Sequence, residues 1–328
     1  MTKDMIFQEL TNTIIKSDLQ GYALYLKMGD DIEERVHGYR LAGSKDLIDF
    51  DTYFRLASVS KQFIAFAIVD LVLNNKLSFD TTIKSIYNTL PDYFNNITIK
   101  NLLNHTSGIY DYEDIEHLET DHPILDRDII SFLEQTDTTY FEIGKEYRYS
   151  NTAYVLLGLI VEDIYQKPLG VALKEIIFDK AGMKYSCANY EGKTTIPNRA
   201  YGHIMEDNKL IKKDQSWTSY TIGDGGIYSS INELKLWIEF LLKSPHSKYM
   251  FVPNILDNGT NTEYGMGIRK IEVKGRDMLY HCGNTIGTNT ILFFSKDLNI
   301  QMIFLTNLAN INTTQMKTNF VEILNKIL

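Results

Sequence analysis

Ser58 and Lys61, in the run FRLASVSKQFIAFAIVDLVL, form the only Ser-x-x-Lys of this chain. At that spacing the two side chains share a helix face, so the amine can reach the hydroxyl. A serine at a helix start also meets unpaired backbone N–H groups and partial positive charge, which suit an alkoxide and an oxyanion. The chemistry this permits is attack by Ser58 while Lys61 moves its proton. To be a base near neutrality, Lys61 must lose about 3 pKa units, roughly 4 kcal/mol of environment. The residues that follow (Phe63, Ile64, Phe66, Ile68, Val69, Leu71, Val72, Leu73) are apolar almost all round, the pattern of a core helix that desolvates a lysine at its head. Chance alone supplies roughly one Ser-x-x-Lys in a chain of this length, and a serine cap followed by a solvated lysine is the plain alternative.

Two further motifs sharpen the pair. Tyr149-Ser150-Asn151 stands just before the helical run TAYVLLGLIVEDIY, and extended geometry at spacing two sends Tyr149 and Asn151 to one side. His281-Cys282-Gly283, followed by Asn284, ends a strand-like run, where a glycine on an edge lets a substrate backbone approach and offers it an N–H. Taken singly, Tyr149 fits core packing, Asn151 a helix cap and His281 a structural strand end. Their joint order is what carries chemistry.

In that order, SVSK, YSN and HCG resemble the signature of the serine β-lactamase and penicillin-binding-protein superfamily, S-x-x-K, S/Y-x-N and K/H-x-G. The Tyr is similar to the class C β-lactamase branch and its esterase and D-aminopeptidase members, as are LLNHTSGI (102–109), FDKAGM (178–183), GGIYSS (225–230) and YGMGI (264–268). The resemblance implies that Ser58 is acylated, that Lys61 and Tyr149 move its proton, and that Asn151 orients Lys61 and the substrate amide. It implies an oxyanion hole from the backbone N–H groups of Ser58 and Asn284, with His281 and Gly283 along the substrate. Water then releases the acyl group, with Tyr149 or Lys61 as base.

Two positions depart from the pattern. His281 and Cys282 stand where β-lactamases and transpeptidases usually carry Lys and Thr. A histidine is mostly neutral at pH 7 and a thiol is a weak donor, so the motif is a poor partner for a substrate carboxylate. The expectation is therefore a serine hydrolase of small esters or amides. The alternatives are a weak class C-type β-lactamase or D,D-carboxypeptidase, and a non-catalytic binding or sensor module of the same fold. Gly223-Asp224-Gly225-Gly226 lacks the Gly-Lys-Ser/Thr of a phosphate loop and reads as a turn beside the cleft. His37, His105, His117, His122, His203 and His246 show no metal-ligand spacing, and His105 reads as a loop residue. No cofactor or metal is expected.

The positioning elements follow from pattern. An amphipathic helix is expected at the N-terminus (Ile6, Phe7, Leu10, Ile14, Ile15), then a hairpin of 21–29 and 32–43 across Gly29-Asp30-Asp31. Helical periodicity covers 62–74, 98–104, 126–135, 152–166, 169–181 and 231–243, the last opened by the capping-box signal Ser230-x-x-Glu233. Strand patterns return at 266–273, 276–282, 288–295 and 299–307, before a helix at 313–327. The fold class expected is α+β, β-lactamase/transpeptidase-like: an antiparallel sheet from both termini with an inserted helical region. The expected domains are 1–75 with 251–328, and 76–250, with the site in the cleft between them.

Composition excludes other classes. The 328 residues are 44% hydrophobic with net charge −9 and no Lys/Arg-rich run, which disfavours nucleic-acid or anionic-membrane partners. Cys187 and Cys282 form no disulfide framework or metal spacing, and Cys187 reads as a small buried hydrophobe. With neither an export signal nor a membrane span apparent, the expected location is cytoplasmic and the expected partner a small ester, amide or peptide substrate. Oligomeric state is not legible.

Overall fold

In the computed structural model, residues 8, 9, 12, 19–114, 121–309 and 313–327 are described. The apolar residues of the expected N-terminal helix (Ile6, Phe7, Leu10, Ile14, Ile15) and His117 lie outside them. A six-stranded antiparallel sheet is built from β1 (Tyr22–Met28), β2 (Asp31–His37), β3 (Arg269–Val273), β4 (Arg276–Thr285), β5 (Thr288–Ser295) and β6 (Ile300–Thr306), in the spatial order β2-β1-β6-β5-β4-β3. The two ends of the chain meet where β1 pairs with β6, Tyr22 opposite Thr306 and Met28 opposite Ile300.

Alternation sets what each face buries. Leu24, Leu26, Phe293 and Phe304 pack under a C-terminal helix through its Phe320 and Leu324. Tyr25, Leu292, Ile303 and Leu305 join the larger core on the opposite face. At the centre of that core lie α1 (Lys61–Leu73) and α2 (Asn151–Tyr165), both buried around nearly their whole circumference, with α3 (Ile231–Lys243) alongside. Phe63 and Phe66 of α1 pack on Trp237 of α3. The C-terminal helix is α4 (Thr313–Ile327). No helix among the described residues is long and apolar enough to cross a membrane.

Several boundaries differ from the sequence expectation. The second hairpin strand stops at His37, because Gly38 turns at φ +80° against Gly21. The strand expected from 266 begins at Arg269, since Gly267 at φ +73° tucks against the Lys61 carbonyl. The helix expected over 169–181 has a π-helical stretch at Lys174–Phe178. The capping box at α3 is half formed: Ser230 accepts the Glu233 N–H at 3.4 Å, but the Glu233 carboxylate is taken by the Tyr185 N–H and the Ser186 hydroxyl. Cys187 is only partly buried.

One contact ties the sheet to the segment carrying Ser58. The Thr290 hydroxyl donates to the Leu56 carbonyl at 2.7 Å, and β4 crosses beside it at Gly283. A Cβ at 283 would stand 2.2 Å from that carbonyl oxygen and 2.3 Å from the Thr290 hydroxyl. Gly283→Ala is therefore expected to destabilise the fold by about 1–3 kcal/mol through overpacking, read as a lower urea midpoint at unchanged m-value.

Candidate active site

Ser58 does not open α1 itself. It lies in a 3₁₀ turn, Ala57–Ser60, one turn earlier, because Ala57 adopts φ +48° and bends the chain sharply out of the short strand Phe54–Arg55. The turn runs directly into α1, so Lys61 remains within 3.3 Å of the Ser58 hydroxyl. Ser58 is partly accessible, whereas Lys61 has no exposed surface.

The Lys61 ammonium is held from three sides. It donates to the Asn151 side-chain oxygen at 2.7 Å, to the Asp224 carbonyl at 2.7 Å and to Ser58 at 3.3 Å. Burial pulls its pKa down to about 8, with the negative charges of Asp224, Asp111 and Glu113 opposing the fall. Most of the shift demanded by a base near neutrality is thus present in the folded site.

Tyr149-Ser150-Asn151 folds as its spacing predicts, except for the cap. Ser150 is extended (φ −138°, ψ 123°) and its hydroxyl accepts the Ala153 N–H at 3.1 Å, so the serine caps α2 and Asn151 is left to its polar contacts. Those contacts join three groups: Lys61 on the carbonyl side, the Glu113 carboxylate at 2.8 Å on the amide side, and Asp111 on the backbone N–H. The Tyr149 hydroxyl is buried and makes no hydrogen bond among the described residues. Burial drives this phenol well above the ordinary tyrosine range, opposed by the nearby Ser58 hydroxyl and Arg269, while the Lys61 amine lies 4.9 Å from the ring centroid.

The third motif forms the opposite wall. β4 continues past the Gly283 expected to end it, as far as Thr285, but β3 accompanies it only up to Tyr280. Beyond that point the outer edge of β4 has no strand partner among the described residues. Two-residue turns close both hairpins, at Val273–Arg276 and Thr285–Thr288. Strict alternation from those closing pairs turns the backbone groups of Cys282 and Asn284 outward, toward the cleft. His281 is buried, with its ring nitrogens on the Cys282 carbonyl at 2.8 Å and the Tyr264 hydroxyl at 3.1 Å. Burial, then the Arg269 and Lys61 charges, push its pKa down to about 3, so it is neutral at physiological pH.

These groups surround one cavity of about 540 Å³, lined by Ser58, Tyr149, Asn151, His281, Cys282 and Asn284, together with Glu113, Arg269, Tyr280 and Lys317. The sequence reading missed three of its charged groups. Arg269, at the start of β3, donates to the Tyr147 hydroxyl at 2.9 Å and sits over the Tyr264 ring. Lys317 comes from α4, its amine 3.5 Å from the Tyr280 hydroxyl. The cations that His281 does not supply are thus supplied by other elements. Glu113 sits in a short turn at the cavity mouth, where desolvation and the charges of Asp224 and Asp111 push its carboxyl up to about 7. Nothing in its local sequence marks it.

Two loop readings fare differently. His105 is structural as expected: its ring accepts the Ser150 N–H at 3.1 Å, and burial lowers its pKa well below the usual value. The Gly223–Gly226 segment does more than shape a turn, because its Asp224 carbonyl is one of the two short acceptors on Lys61.

Comparison with known proteins bears on the family and the fold. The D-aminopeptidase of Brucella anthropi is 26% identical over 282 residues, 80% of this chain but 51% of the relative, so the chain spans about half the length of that protein. Penicillin-binding protein 4* of Bacillus subtilis strain 168 is 28% identical over 314 residues, covering 89% of this chain and 69% of the relative. A solved penicillin-binding protein from Bacillus halodurans shares the fold at TM-score 0.81 and 24% identity, covering 97% of this chain and 98% of that one. The family model described as Beta-lactamase matches residues 14–322, nearly the whole length, and the chain belongs to that family.

Proposed function

We propose that the protein is a serine hydrolase that cleaves small amides and esters through an acyl-enzyme on Ser58, preferring substrates with an amine near the scissile carbonyl. The observation that carries this reading is the environment of the Lys61 amine. A neutral amine has two N–H bonds and one lone pair. The two 2.7 Å acceptors, Asn151 and the Asp224 carbonyl, take both N–H bonds and leave the lone pair for the Ser58 hydroxyl.

In the first half-reaction the Ser58 proton passes to Lys61 as its oxygen attacks the carbonyl carbon. The backbone N–H groups of Ser58 and Asn284 meet the developing oxyanion, each worth roughly 3 to 4 kcal/mol in the transition state. Tyr149, held neutral by burial, fits the role of relay that passes a proton to the leaving amine or alcohol. In the second half-reaction water attacks the acyl carbon as Lys61 takes its proton; the bond to the Ser58 oxygen then breaks, Lys61 returns the proton to that oxygen, and the acid leaves. Tyr149 is a poor resting base, because its phenolate is strongly disfavoured where it lies.

Substrate class follows from the charges in the cavity. Glu113 suits an ammonium group, and the D-aminopeptidase among the relatives bears a name consistent with that chemistry. A second reading, action on β-lactams or peptides with a free carboxylate, is favoured by Arg269 and Lys317 in the same cavity.

Intact-protein mass spectrometry with a fluorophosphonate probe tests the nucleophile. Wild type should gain one adduct and Ser58→Ala none; equal labelling of both would sink the assignment. With a neutral nitrophenyl ester, kcat/KM should rise with pH through about 8, because the protonated Lys61 has no lone pair for Ser58. Glu113→Gln should raise KM for an amino-acid amide about tenfold more than KM for the des-amino amide, a differential effect of about 1.4 kcal/mol. A chromogenic cephalosporin turning over faster than either amide would favour the second reading.

A further inference from the structure

The Asp224 side chain is the most unusual charged group next to this site. It is 7% exposed and is absent from the cavity lining, so substrate does not account for it. One carboxylate oxygen accepts the Tyr112 hydroxyl at 2.9 Å, while the other is buried with no hydrogen-bond partner among the described residues. A buried carboxylate oxygen left unpaired costs free energy of the order of 1–3 kcal/mol, more for an ionised group. Such a group calls for a reason.

Its fixation is elaborate. Tyr112 is itself buried; its hydroxyl also contacts Thr221 at 3.0 Å, and its backbone N–H donates to Thr152 of α2 at 2.8 Å. The backbone just ahead of Asp224 is pinned by the half-buried Asp126 carboxylate, which accepts the Ile222 and Gly223 N–H groups at 2.9 and 3.0 Å. Gly223 lies so close to α2 that a Cβ would stand 2.5 Å from the Tyr154 carbonyl oxygen. The loop therefore has little freedom, and the same residue whose carbonyl grips Lys61 holds its carboxylate beside it.

We propose that the Asp224 carboxylate, held by Tyr112, is a positioning residue that sets the charge state of Lys61 and thereby the pH range in which Ser58 is acylated. The proposal rests on Lys61 serving as the base. Asp224 heads the negative charges acting on the buried amine, ahead of Asp111 and Glu113. Also facing Lys61 are the Tyr149 and Tyr154 rings, 4.9 and 5.6 Å from its amine, and His105 and His281, both neutral. Arg269 lies beyond Tyr149. Desolvation lowers the Lys61 pKa, and the nearby negative charges oppose that fall. A fixed carboxylate offsets part of that penalty and keeps proton uptake and release within reach.

The sign of the test follows. Removing the Asp224 charge leaves the ammonium less stabilised, so Lys61 stays neutral to lower pH. In Asp224→Asn, the acid limb of kcat/KM on a neutral ester should move down by about one pH unit. The Lys61 titration, followed by NMR on lysine-labelled protein carrying Ser58→Ala, should move with it, and this readout needs no turnover. Loss of rate at every pH with the limb and the titration unmoved would make Asp224 a structural residue and overturn the proposal. If Asp224→Asn does not fold, Tyr112→Phe is read the same way: a smaller shift in the same direction is expected, and an unmoved or alkaline-shifted titration overturns it. Failure of Ser58 to take a fluorophosphonate would instead remove the hydrolase reading, while the NMR titration still decides whether Asp224 governs Lys61.

Discussion

Everything at this site depends on one buried amine having two short acceptors on separate elements. Lys61 rides on α1, Asn151 opens α2, and Asp224 sits on a loop wedged against α2. A flexible four-carbon side chain adopts many rotamers in water, and freezing it costs up to about 2 kcal/mol. Here the surrounding core and the two 2.7 Å contacts remove that freedom in advance, which is the useful form of positioning for a proton acceptor. The all-round apolar character of α1 is thus part of the chemistry: a helix with one solvated face would not have desolvated its first lysine.

That arrangement opposes folding. Lys61 passes from a pKa of 10.5 to about 8 on burial, so the native state releases a proton that the unfolded chain keeps. Below pH 8 the charged amine is the buried species, and it disfavours the fold by about 3 kcal/mol. As pH rises from 8 to 10.5 the unfolded state loses the same proton and the penalty disappears, so this group makes stability increase through that window. The apolar cores on both faces of the sheet are what make such a site tolerable. The Tyr149 hydroxyl and the Asp224 oxygen, unpaired among the described residues, are local costs of the same kind.

The architecture was legible where side-chain period is strong. Residues 231–243, 288–295 and 313–327 fold to the boundaries their patterns predict, the helices through one apolar face and the strand as an apolar run buried on both faces. Boundaries set by backbone sterics were not: the stop at His37 and the late start at Arg269 turn on Gly38 and Gly267. At the site, Ser58, Lys61, Tyr149, Asn151, His281, Gly283 and Asn284 lie in short motifs whose internal spacing carries meaning; Ser58, Tyr149, Asn151, His281 and Asn284 line one cleft, and Lys61 is buried behind Ser58. Glu113, Arg269, Lys317 and Asp224 carry no such spacing. They converge only because a turn, a strand start, a terminal helix and a loop are folded against one another, and single-sequence periodicity contains no trace of that convergence.

His281 illustrates the difference between a residue type and its environment. The sequence argument allowed a histidine that is mostly neutral at pH 7; burial among Tyr149, Tyr264 and Arg269 makes it neutral throughout the physiological range. Its two ring nitrogens are already occupied, so its service to a substrate is shape and a fixed Cys282 carbonyl. Positive charge in the cleft comes from Arg269 and Lys317, and negative charge from Glu113. Charge of both signs around one cavity selects for ligands by the placement of their charges more than by net charge. The proposed discrimination among ionised substrates rests on these charges and not on the uncharged HCG motif.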